Sequence, residues 1–217
     1  MIITILSIWM VYMANVAEIP KTVADIDGNI YHTVKIGSQV WMAENLKTTH
    51  YRNGDDIPNI TANSEWSKLT TGAFSWYEND FKNKNPYGAM YNFYAAADSR
   101  GLCPAGWHVP SYEDWITLQE YLGGADIAGG KMKETGTVHW TSPNVGATNE
   151  SGFSGFPGGG RGAKGEFGEL GNYATWWSST ADDGTYSWHW GLHPDKASTR
   201  YNPGHKASGF SVRCVKN

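Results

Sequence analysis

The side chains most readily put to chemical use near neutral pH are the two cysteines, Cys103 and Cys214, and the histidines. Neither cysteine lies in a Cys-x-x-Cys or Cys/His zinc spacing. Count and spacing leave two readings open. A disulfide would close a loop of about 110 residues and restrict the unfolded chain by about 4 to 5 kcal/mol; the alternative is two buried free thiols. His108 follows Trp107 close to Cys103, but a cysteine–histidine pair needs a free thiolate, and a histidine hydrogen-bonded beneath the next helix is the simpler reading. The glycine-rich run Gly155 to Gly165 suggests a phosphate loop. Lys164, however, is neither preceded by Gly nor followed by Ser or Thr, and no strand-to-helix switch surrounds it. The run reads instead as a place where backbones pass closely. Asn144, Asn149, Glu150, Asp182 and Asp183 carry oxygens that calcium could use, although caps and turns use the same residue types. His189 and His193 share a strand face but are about 13 Å apart in extended chain, too far for one metal. No cofactor and no metal is expected.

The elements that position these groups follow from composition and pattern. The 217 residues suffice for one domain with a full core. Net charge is −4 with no Lys or Arg run, which removes nucleic acid as a partner. Gly at 26 residues and a charged fraction of 18% favour turns over long solvated helices, and 14% aromatic residues exclude disorder. Met1 to Ala17 is uncharged, with an apolar run from Ile2 to Met13 that suits a signal-peptide core and is slightly short for a membrane span. No basic residue precedes it and Asn15-Val16-Ala17 is a poor cleavage site, so a retained anchor, an oligomerisation segment or an N-terminal strand remain alternatives. Residues 1–20 are accordingly expected to be a leader or anchor and 21–217 the domain.

From Val23 the pattern is short strands separated by turns. Asp27-Gly28 and Gly37-Ser38 join β-branched runs into a three-stranded meander. Residues 50 to 85 read as long loops anchored by Trp66, Trp76 and Tyr77. The clear helix follows Pro110: Ser111 caps it, Glu113 and Asp114 occupy its first turn, Trp115, Leu118 and Leu122 recur at helical spacing, and Gly123-Gly124 stop it. Gly88 to Ala97 fits a helix or a strand. Strands are expected over 176–180, 186–193, 199–205 and 209–215. In the second of these, Tyr186, Trp188, Trp190 and Leu192 alternate with Ser187, His189, Gly191 and His193, giving one aromatic and one polar face. The fold class is α+β, with short antiparallel sheets, one clear helix and many loops.

Several stretches together resemble the Fibrobacter succinogenes major paralogous domain family. They are the opening Thr22 to Asn29 and Val34 to Thr48, Tyr87-Gly88-Ala89-Met90-Tyr91-Asn92-Phe93-Tyr94-Ala95-Ala96, Cys103-Pro104-Ala105-Gly106-Trp107-His108-Val109-Pro110-Ser111, Ala147 to Phe153, Trp176-Trp177-Ser178-Ser179-Thr180 and Gly209 to Lys216. The resemblance implies a C-type-lectin-like fold, distantly similar to formylglycine-generating enzymes, in proteins exported by bacteria or encoded by their phages. It also implies that Cys103 and Cys214 form a disulfide. The leader departs from the family in lacking a basic start or a lipoprotein cysteine. Formylglycine-generating chemistry needs two reactive cysteines close together, which this chain does not offer, so no enzyme is expected. The Glu-Pro-Asn and Gln-Pro-Asp tripeptides of sugar-binding C-type lectins are absent.

Trp41, Trp107, Trp115, Trp176 and Trp177 fall inside the family motifs and read as core. The family pattern is permissive around Trp190, His193, Lys196, Tyr201, Asn202 and His205, and these form the expected ligand-binding set. A twist or bulge near Gly191 is expected to leave Trp188 packed and Trp190 at the rim. The function expected is a non-catalytic extracellular binding module, of adhesin or receptor-binding type, that recognises a surface glycan or protein. The alternative is a structural module of a cell-surface or phage virion assembly. Membrane contact is expected only through the N-terminal segment, and an oligomer is compatible with either reading.

Overall fold

The computed structural model describes residues 20–217, so the apolar segment expected to act as leader or anchor lies outside the described residues. Strands β1 (Thr22–Ala24), β2 (Ile30–Ile36) and β3 (Gln39–Met42) form the antiparallel meander. Gly28 and Gly37 turn it with φ of 75° and 62°, a region glycine enters without a Cβ clash. Residues 50–85 are mostly loop, pinned by the buried rings of Trp66, Trp76 and Tyr77. The segment from Gly88 to Ala97 holds both a strand and a helical turn, since β5 (Met90–Tyr91), paired with β4 (Phe74–Ser75), precedes the turn Phe93–Ala96. β6 (Trp107–His108) leads into helix α1 (Tyr112–Tyr121).

At the start of α1 the Ser111 side chain accepts from the Asp114 N–H, and the Asp114 carboxylate accepts from the Ser111 N–H, which satisfies two otherwise orphaned donors. A second helix, α2 (Ala125–Met132), corrects the expectation of one clear helix. Gly129-Gly130 in its middle look like helix breakers in the sequence. They are needed for contact: a Cβ at Gly129 would stand 2.6 Å from the Ser198 carbonyl oxygen, and one at Gly130 2.4 Å from that of Gly146.

The C-terminal half builds β7 (Gly158–Arg161), β8 (Phe167–Leu170), β9 (Ala174–Ala181), β10 (Tyr186–Leu192), β11 (Thr199–His205) and β12 (Val215–Lys216). The glycine-rich run is the β7–β8 hairpin, where a Cβ at Gly159 would meet the Gly168 oxygen at 2.3 Å. Sheet order is β1-β2-β3-β12-β6 in one layer and β11-β10-β9 in another. The strand expected over 209–215 is only partly regular. Single bridges tie Gly209 to Arg161, Phe210 to Tyr91 and Ser211 to Trp176 before β12 inserts between β3 and β6. This segment stitches four sheets together, and the Cys103–Cys214 disulfide fastens it to the loop before β6.

Two apolar clusters fill the interior. One centres on Tyr31, Trp76, Tyr91, Trp107 and Trp177; the other, beneath α1 and α2, on Trp41, Trp115, Trp140, Trp176 and Trp190. Among the described residues three cations are wholly buried without a carboxylate partner: Lys133, Arg161 and Arg213. Lys133 spends all three donors on neutral oxygens, and each arginine four of its five, as buried charge requires. Arg213 holds Asn45 Oδ1 and the carbonyls of Phe153 and Ser154, and burial pushes its guanidinium down to about 9. No helix among the described residues is long and apolar enough to cross a membrane.

Candidate functional site

In the β9–β11 sheet, Trp190 pairs across to Tyr201 and to Trp176, while His189 pairs to Asn202 and Trp177, and Gly191 to Arg200 and Thr175. Directly opposed residues share a face, and neighbours along a strand alternate. One face therefore carries Trp176, Trp190 and Tyr201, and the other Thr175, His189, Gly191, Arg200 and Asn202. Helix α1 lies on the first. Trp115 stacks with Trp190 at 5.7 Å and 8°, and Tyr201 also stacks with it at 5.0 Å and 22°.

The second face is covered only in part, by the β7–β8 hairpin, and between them runs a groove of about 400 Å³. Phe167 and Tyr173 stand on the hairpin side and Phe210 at one end, where it lies over Trp177 with ring centroids 4.6 Å apart. Glycines keep the groove open. A Cβ at Gly168 would meet nothing within 4 Å, and one at Gly191 only carbonyl oxygens at 3.7 and 3.9 Å. Glu166, Glu169, Arg200 and Asn202 point polar side chains at the rim, with no hydrogen bond or ion pair to other described residues. Glu169 holds φ of 65°, an uncommon state for a residue with a Cβ, at the turn whose carbonyl accepts from the Asn172 and Tyr173 N–H groups.

Deeper in the groove the chemistry is neutral. Burial lowers His189 to about 4, and its Nδ1 is buried with no hydrogen-bond partner. Burial, assisted by the nearby charge of Arg200, also lowers His193, whose ring lies 3.7 Å from that of Tyr173. Arg161 reaches the groove wall, but its guanidinium is committed to the carbonyls of Gly165, Ile60 and Thr61 and to Asn63 Oδ1, sandwiched between Trp66 and Phe167. The rim near His193 is fixed from behind by Lys133. Its ammonium donates to the carbonyls of Val145, His193 and Lys196 at 2.8 to 2.9 Å. Burial brings Lys133 down to about 8, while the three acceptors match the three donors of the protonated form.

A model of the Fibrobacter succinogenes major domain matches residues 34–216 of this chain. The chain belongs to that family. No curated protein and no solved structure matches it.

Within this family domain the expected ligand-binding residues do not form one site. His193 and Asn202 line the groove. Trp190, expected at the rim, is fully buried, and this corrects the sequence reading. The irregularity of the sheet lies at Trp188 and not at Gly191: between Ser187 and His189, β10 advances two residues while β9 advances four. Regular alternation thus holds from His189 to Leu192 and carries Trp190 into the core, leaving Trp188 half-buried beside Tyr112. Tyr201 is exposed, but on the helix side of the sheet. Lys196 contributes its carbonyl to Lys133, and His205 accepts from the Ala207 N–H at the far end of β11; neither lines the groove.

The residues missed were His189, Arg200 and the hairpin's Glu166, Phe167 and Glu169. Period-two counting from His193 and Asn202 reaches His189 and Arg200. Nothing in the local pattern places the hairpin across from them. The remaining chemical candidates are absorbed by structure. His108 bonds Asp114 Oδ2 at 3.0 Å beneath α1 and Asn217 Oδ1 at 2.7 Å. Asn144 donates to the Glu134 and Gly136 carbonyls, Asn149 bonds Ser154, Glu150 pairs with Lys131, and Asp183 caps the turn at Thr185 and Tyr186. Among the described residues no group of three or more His, Cys, Asp and Glu side chains is placed to hold a metal ion.

Proposed function

We propose that this domain is a non-catalytic binding module that seats part of a glycan in the groove between the β7–β8 hairpin and the polar face of β9–β11. One observation carries the reading: hydrogen-bonding side chains without partners among the described residues surround a concave, aromatic-walled space of about 400 Å³, within the range of small-ligand sites. A groove of this shape suits a small group better than the flat contact of a protein partner. We read the fold as lectin-like, with support from the return of the C-terminal strand β12 to the side of β3. The disulfide favours an oxidising compartment, hence an exported domain at or beyond the cell surface. A glycan array with the wild type and Asn202→Ala tests the binding reading. Selective signals lost in the variant support it. Uniform silence, or signals that Asn202→Ala leaves unchanged, would turn the assignment towards a structural module.

A further inference from the structure

The charge distribution in the groove narrows the class of ligand. We infer that the occupant is an uncharged pyranose whose hydroxyl groups hydrogen-bond His189 at the bottom of the groove and Asn202 at its rim. This rests on the groove being the binding site.

The deep part of the groove offers no free charge. Thr175 and Ser208 are 7% and 8% exposed, the guanidinium of Arg161 has four of its five N–H donors on protein oxygens, and His189 is held neutral by burial. A cation lowered into that region would lose its water beside the charge of Arg161, and an anion would lose its water for a guanidinium that already has four of its five N–H donors on neutral oxygens, so either carries a large penalty. A hydroxyl group suits it well. Neutral imidazole both donates and accepts, and so does the hydroxyl of a sugar. At the rim, Glu166 and Glu169 line the hairpin side and Arg200 the sheet side; with the buried Arg161 the lining carries two charges of each sign, so neither sign is favoured overall. All three are exposed, and an ion pair made there with a charged ligand would contribute little. The aromatic faces of Phe167, Tyr173 and Phe210 supply what the C–H face of a sugar ring packs on. A free amino acid is neutral overall but would need both of its charges desolvated within one small group.

The test is an amide NMR titration of the full chain with three sets of probes. These are the methyl pyranosides of glucose, galactose, mannose and N-acetylglucosamine; the charged sugars glucuronate and N-acetylneuraminate; and glycine. At least one uncharged glycoside should shift the resonances of residues 189–193 and 200–202. Its affinity should change less than about twofold between low and high salt, and also between about pH 5.5 and 7, where His189 stays neutral and Lys133 stays protonated. Asn202→Ala should weaken it at least about tenfold. His189→Gln, which keeps a neutral donor and acceptor, should bind, whereas His189→Leu should not, with melting temperature reporting that each variant is folded. Salt-dependent binding of a charged sugar or of glycine at the same resonances, with the uncharged glycosides silent, would overturn the inference and leave the groove assignment standing. Groove resonances that respond to none of the probes would overturn both.

Discussion

The two faces of the β9–β11 sheet come from the same strands and have opposite properties. Towards α1 the face is a stack of indole and phenol rings, with Trp190 stacked with both Trp115 and Tyr201. Towards the hairpin it is glycine, histidine, arginine and asparagine with unspent hydrogen bonds. The contrast teaches that abundance of aromatic rings marks where water is excluded, and not by itself where a ligand is recognised. The recognising surface is the one that combines a few rings with polar groups the fold has left unsatisfied.

The largest expected effect tests the packed face. Trp190→Ala should cost about 3 to 5 kcal/mol, because truncating a fully buried indole loses its transfer energy and leaves a cavity. Urea denaturation would read it as a lower midpoint with unchanged slope, and a loss below about 1 kcal/mol would mean that the stack does not organise this sheet. Trp188→Ala, at the half-buried bulge, should cost only about 1 to 2 kcal/mol.

A pH effect from the groove face comes next. His189 sits at about 4 when folded, below the ordinary histidine value near 6.5, so the unfolded chain binds more protons between the two. Its contribution is fully present above the unfolded value and is lost as pH falls towards 4. Urea midpoints should therefore fall less on acidification in His189→Gln than in the wild type. Parallel curves would show that the imidazole is not buried as described.

Ser111→Ala removes one side of the capping box of the helix that covers the aromatic face and should cost about 1 kcal/mol in the same assay. The smallest stability effects belong to the groove. Asn202→Ala and Gly191→Ala should each leave stability within about 0.5 kcal/mol, since the first side chain makes no hydrogen bond to other described residues and the second position has room for a methyl group. Both should still weaken the glycan, the first by removing a hydrogen-bonding group and the second by raising the groove floor.

Much of the fold was legible in residue types. The meander followed from Gly28 and Gly37, the start of α1 from Ser111 and Asp114, and the buried tryptophans from their place in the motifs. Helix α2 was hidden because Gly129 and Gly130 weaken its local propensity, and only contact with the 146 and 198 backbones explains them. The alternation in β10 was legible as well, with His189 and His193 on its polar face. The burial of Trp190 was not legible, because the irregularity between Ser187 and His189 depends on β9, a strand whose register local sequence does not reveal. The far wall of the groove comes from a hairpin whose placement is set by Arg161 and the seam at Gly209. Such long-range pairings leave no trace in either segment alone.

The stitching segment from Gly209 to Lys216 has a consequence for how the protein is made. Among the described strands the last in chain order, β12, is the one that must slip between β3 and β6, and Phe210 lines the groove from the same stretch. Until those residues emerge, the N-terminal meander has an open edge, Cys103 has no partner, and the ligand site lacks a wall. The nascent chain therefore cannot lock its architecture in stages from the front, as chains rich in local contacts do. The domain stays uncommitted until residues 209–216 emerge, then closes at once, and a chain cut just before Gly209 would forfeit far more of this fold than the stitching segment itself.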